Sequence, residues 1–72
     1  MTEREFNLQL SANIRRARLA AGVRQCDLAA AIGCARPVMC RMEQGAYRVS
    51  VNRLRWLAAA LGVAEVALLP QL

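Results

Sequence analysis

Two arginines in a short apolar stretch carry the first chemical signal of this sequence. Arg36 and Arg41 lie in IGCARPVMCRMEQG, residues 32 to 45, where Met39 and Met42 stand three apart. If the stretch is helical, the methionines share one face and both arginines point away from it. An outward guanidinium is a planar fork of donors, and it suits a phosphate or the O6 and N7 edge of guanine better than an ammonium does. One face of the segment is therefore fit to seat in a core while the other is fit to meet an anion.

The rest of the composition points the same way. All ten basic residues are arginine, set against five acids, and the net charge of +5 favours a polyanionic partner. Catalysis lacks its usual parts. There is no His, no Gly-rich phosphate loop and no convincing acid/base pair among the acids, so no enzyme is expected. Cys26, Cys34 and Cys40 are odd in number, have no C-x-x-C spacing and no His to complete a zinc site. Neither a metal nor another cofactor is expected, and the thiols read as small side chains in a reducing compartment. The opening MTEREFNLQL places charges where a signal peptide would be apolar, and no apolar run approaches a membrane span. The expectation is a cytoplasmic protein with no membrane contact and no small-molecule ligand.

The elements that must hold the arginines can be read from spacing. Apolar residues are 57% of the chain but aromatics only 4%, which favours short packed helices over a sheet, hence an all-α class. Phe6, Leu10, Ile14, Ala17 and Ala21 recur at helical spacing, with Arg15, Arg16 and Arg18 on the other side and Gly22 as a stop. VRQCDLAAAIG gives a short second helix with Leu28, Ala29 and Ile32 inward and Gly33 as its stop. The arginine-bearing segment follows at once, with Pro37 in its first turn and Gly45 at its end. Two short helices so closely joined form the pattern of a helix-turn-helix. Ser50 then caps a fourth helix carrying Val51, Leu54, Leu57, Ala58 and Leu61, which Gly62 ends, and VAEVALLP fits a last short helix stopped by Pro70. No linker divides residues 1–72, which make one domain. A chain this short buries only roughly 60% of its unfolded surface, so association would help it.

The order Gln25, Leu28, Ala29, Gly33, then Arg36, Met39, Arg41, Met42, Glu43, Gly45, then Ser50, Leu54, Leu57, Ala58, Leu61, Gly62 resembles the helix-turn-helix family of the lambda-type phage repressors and Cro proteins. The resemblance runs from about residue 10 to 69. It implies a compact five-helix lambda-repressor-like domain whose second helix lies across the DNA backbone and whose third enters the major groove. Carried over by position, it implies that Arg36, Pro37, Val38 and Arg41 face the bases and that Gln25, Tyr47 and Arg48 meet phosphates; Arg24 is expected to join the phosphate contacts by its charge. It also implies that Arg18 and Glu43 pair inside the fold. The chain departs from the pattern in having Ala35 and Ala64 where polar caps are common.

The function expected is that of a sequence-specific DNA-binding transcription regulator, a homodimeric repressor of a small phage-like or autoregulated operon. Its partner would be double-stranded DNA with a pseudo-palindromic operator. The alternative is an antitoxin, or another protein-interaction module using the same fold. Trp56 lies off the Leu54, Leu57, Leu61 stripe, and with Val66, Leu69 and Leu72 it makes an apolar edge that suggests the dimer interface.

Overall fold

Each helix of this chain is closed by its own local chemistry, and the closures set where the helices turn. A computed structural model describes residues 1–71; Leu72, one of the expected interface residues, lies outside the described residues. It consists of α1 (Glu3–Ala20), α2 (Gln25–Ala31), α3 (Arg36–Gln44) and α4 (Val51–Leu61), then a single 3-10 turn, Glu65–Ala67. No strand occurs among the described residues. At the starts, the Thr2 hydroxyl accepts from the Glu5 N–H at 3.1 Å and the Ser50 hydroxyl from the Arg53 N–H at 3.2 Å. Such caps satisfy donors that the helix itself cannot. Ala35 and Ala64 make no side-chain cap.

The four α-helices end alike. The N–H of Val23 donates to Arg18 O, Cys34 to Ala29 O, Ala46 to Arg41 O and Val63 to Ala58 O, all at 3.0 to 3.2 Å. In each case the preceding glycine has a positive φ, which is the closing geometry that glycine adopts without the Cβ penalty. Gly45 has a second constraint. A Cβ added there would sit 2.6 Å from Leu8 Cδ2, so α1 passes directly over the end of α3.

The core joins Leu10 and Ile14 of α1, Leu28 and Ala29 of α2, Met39 and Met42 of α3, Leu57, Ala58 and Leu61 of α4, together with Ile32 and Leu68. α2 and α3 pack on each other, α1 backs α3, and α4 closes the far side of α2. Two readings of the periodicity need correction. Phe6 is not an inner residue of the first helix but is 37% exposed, because α1 begins at Glu3 and its first turns overhang the core. Arg18 does not share the outer side with Arg15 and Arg16, since it is buried on the same face as Leu10, Ser11 and Ile14. The last expected helix is only a 3-10 turn. Pro70 offers no N–H and disfavours helical geometry at Leu69, so too few residues remain for an α-turn to propagate.

Candidate nucleic-acid interface

α3 is short, and nine residues cannot hold a helix in water by themselves; tertiary contacts must fix it. Met39 and Met42 are fully buried, which sets its rotation. Ala35 precedes the helix with extended backbone, Arg36 is its first residue and Pro37 its second, where a missing N–H costs no intrahelical bond. Arg36, Pro37 and Arg41 are exposed. Val38 is half-buried against the core, so it is not presented outward like its neighbours. The inner face is wider than the two methionines, and Val38 adjoins Met39 on it. Gln44 is an exposed residue that the sequence reading passed over; it follows Pro37 and Arg41 at helical spacing on the outer side. The signal was available in that spacing.

Behind α3, a polar network holds its carboxyl end. Arg18 Nε donates to Glu43 Oε2 at 2.6 Å and Arg18 Nη2 to Glu43 Oε1 at 3.1 Å, a two-bond fork. Arg18 Nη1 donates to Val23 O at 2.9 Å, and Gln25 Nε2 donates to Glu43 Oε1 at 3.2 Å. The hydrogen bond to Glu43 raises the Arg18 pKa above its ordinary value, against the lowering effect of burial. Asn7 Nδ2 adds a bond at 2.9 Å to Gly45 O, which ties the last turn of α3 to α1. The network spans α1, the start of α2 and the end of α3, so the two helices of the helix-turn-helix are locked to a common support.

The side chains expected at phosphates are in varied states. The Gln25 amide nitrogen leans on Glu43. Arg24 Nε donates to Asp27 Oδ2 at 2.9 Å, and Arg48 Nη2 lies 2.6 Å from Glu3 Oε1; both pairs are exposed. The hydrogen bond to Asp27 raises the Arg24 pKa. Tyr47 is half-buried against the core, with the Arg53 guanidinium 5.1 Å from its ring centroid. That distance is within cation–π range. Arg36 and Arg41 have no carboxylate partner among the described residues.

On α4 and the neighbouring segment that follows it, Trp56 is 52% exposed, Val66 69% and Leu69 36%. Asn13 Nδ2 donates to Leu68 O and Leu69 O, pinning this segment to α1; the Leu68 side chain enters the core while Val66 and Leu69 stay outside. Among the described residues no cluster of His, Cys, Asp and Glu is placed to hold a metal ion, and no helix is long and apolar enough to cross a membrane.

A family model described as a helix-turn-helix domain matches residues 9–72. The fold is similar to the clp gene regulator ClgR from C. glutamicum, with 27% identity, a TM-score of 0.84, and coverage of 88% of this chain and 82% of that one. It is also similar to the restriction-modification controller protein C.AhdI from Aeromonas hydrophila, with 30% identity, a TM-score of 0.80, and coverage of 85% and 92%. The DNA-binding domain of BldD is 30% identical with a TM-score of 0.84, and the match covers 96% of this chain and all 100% of that domain. No curated protein sequence matches the chain significantly.

Proposed function

The chain belongs to the helix-turn-helix family and is a DNA-binding transcription regulator, and from that premise we propose how it reads DNA and in what state. α3 enters the major groove with Arg36 and Arg41 toward base edges, Pro37 against the groove wall, and Val38 contributing only its uncovered part. Arg24, Gln25, Tyr47 and Arg48 flank it at the backbone. The observation that carries this reading is the division of α3 itself: Met39 and Met42 are wholly buried, while Arg36 and Arg41 stand exposed with no carboxylate to neutralise them. Bidentate pairing to guanine is what such a fork does best in the major groove. Selection of duplexes from a random pool tests it. An enriched motif that Arg41→Ala and Arg36→Ala no longer select supports the reading; enrichment unchanged by either substitution overturns it.

The repressor acts as a homodimer. The Trp56, Val66 and Leu69 edge is the self-complementary surface, and a two-fold pair would space two α3 helices about one DNA turn, roughly 34 Å. The site would then be pseudo-palindromic, with half-sites about 10 base pairs apart. Sedimentation of the parent and of a Trp56→Ala, Leu69→Ala double variant provides the check. The parent should dimerise at tens of micromolar and the variant should not, whereas a monomeric parent that binds DNA as one subunit would sink the homodimer. The same edge could instead seat a different protein, as in an antitoxin, and a parent that is monomeric without DNA binding would favour that reading.

A further inference from the structure

The ten arginines divide sharply once their partners are counted. Four carboxylates, Glu3, Asp27, Glu43 and Glu65, are each held by an arginine, namely Arg48, Arg24, Arg18 and Arg55. Six arginines and Glu5 have no such partner among the described residues. On the side proposed to meet DNA the division follows the proposed roles. Arg36 and Arg41, on the reading helix, are free, whereas Arg24 and Arg48, the flanking cations, each carry a carboxylate within 2.9 Å. We propose that Glu3 and Asp27 are specificity-determining residues: they occupy the backbone-contacting arginines in the free protein, hold down affinity for DNA of any sequence, and so leave discrimination to Arg36 and Arg41. The inference rests on the DNA-reading arrangement proposed above.

The physical argument is one of exchange. A phosphate contact contributes sequence-independent affinity by releasing counterions from DNA, and each neutralising cation adds to it. A cation already beside a carboxylate releases less, because binding must displace that carboxylate or bring the phosphate against its charge. Both pairs are exposed, with side-chain exposures of 79% and 54% for Arg24 and Asp27 and of 83% and 76% for Arg48 and Glu3. Such pairs contribute little to stability, so phosphate can displace them at small cost, yet each acid stays close enough to weaken the contact. Helix electrostatics alone does not account for Glu3. Glu3 and Glu5 both lie in the first turn of α1, where the helix dipole favours an acid, but only Glu3 reaches across to the loop after α3. Base readers left free and backbone contacts kept half-neutralised raise the ratio of specific to non-specific binding, the quantity that matters against a genome of competing sites.

The test compares Glu3→Gln, Asp27→Asn and their double variant with the parent and with Glu5→Gln, which makes the same charge change at an unpaired acid. Each is titrated against the duplex selected from a random pool and against a 30-base-pair duplex of arbitrary sequence, at several salt concentrations. The double variant should bind the arbitrary duplex roughly three- to tenfold more tightly at low salt, with a steeper salt dependence and a lower selected-to-arbitrary ratio. Glu5→Gln should do much less. In an Arg48→Ala background Glu3→Gln should have no more effect than Glu5→Gln, as a double-mutant cycle requires when one residue acts through the other. Equal gains for Glu3→Gln and Glu5→Gln, or a Glu3→Gln gain that survives Arg48→Ala, would reduce the effect to net charge and overturn the proposal. A parent that binds neither duplex would instead overturn the DNA-reading arrangement on which it rests.

Discussion

Arg18–Glu43 at the junction of α1, α2 and α3, and Arg48–Glu3 at the rim, are the same two residue types at the same shortest separation, 2.6 Å. Their surroundings are opposite. The inner side chains are 11% and 3% exposed and the outer 83% and 76%. At equal distance the attraction scales inversely with the local dielectric, and so does the penalty for leaving either charge alone. The inner pair is further committed by the second bond of its fork, by Val23 O and by Gln25. The outer guanidinium can change partners at little cost. Separation alone therefore does not distinguish a fixed structural pair from an exchangeable one, whereas burial and the remaining bonds do.

The largest effect should come from breaking the inner pair. Glu43→Ala leaves the Arg18 guanidinium buried with only Val23 O, and removes the acceptor of Gln25. Losing one partner of a buried pair costs about 3–5 kcal/mol. In a domain of this size each kcal/mol moves Tm by about 4–8 °C, so the melt should fall by well over 10 °C. Glu43→Gln keeps the shape and some of the hydrogen bonding and should lose less. If Glu43→Ala melts like the parent and only DNA binding changes, the inner pair is not structural and the contrast with the rim collapses.

The outer face of α3 gives the intermediate effect. Arg41 is neither buried nor paired, so Arg41→Ala should leave Tm almost unchanged while removing about 1–3 kcal/mol of base discrimination. Titration against the selected and arbitrary duplexes reads this directly: affinity should fall on the first and hold on the second. Equal losses on both would make Arg41 a backbone contact, no different in kind from Arg48.

Much of this arrangement was legible in the sequence because it is local. The spacing of Leu28, Ala29 and Ile32, then of Met39 and Met42, reports helix faces directly, and the glycines after the four α-helices mark the stops. Periodicity failed where the third dimension decides. Phe6 keeps the rhythm of α1 but overhangs the core, and Val38 falls within an inner face broader than its two methionines. Arg18 sits on an apolar stripe because its counter-charge arrives from a helix 25 residues away, a fact no local pattern carries; only the family resemblance raised that pairing. The Glu3 and Arg48 contact is longer still in range, and nothing in either residue's neighbourhood announces it. The fifth helix was a matter of length, since Pro70 stops it within one turn.

The smallest effect on stability belongs to the rim, and it tests the contrast most sharply. Arg48→Ala removes a contact as short as the inner one, so a ranking by distance would give it a comparable cost. Exposed pairs are screened by water and salt and must hold two long side chains in one geometry, and they contribute about 0–1 kcal/mol. Glu3 also keeps its favourable place in the first turn of α1 when its partner is gone. The melt of Arg48→Ala should thus stay within a few degrees of the parent and converge on it as salt rises. DNA binding should behave differently: affinity for selected and arbitrary duplexes should fall together, with the salt slope reduced by less than the roughly 0.9 of an unencumbered phosphate contact, because Glu3 already half-neutralises Arg48. A loss of stability as large as that of Glu43→Ala would mean that burial does not separate the two pairs. An unchanged salt slope would mean that Arg48 never leaves Glu3 for phosphate.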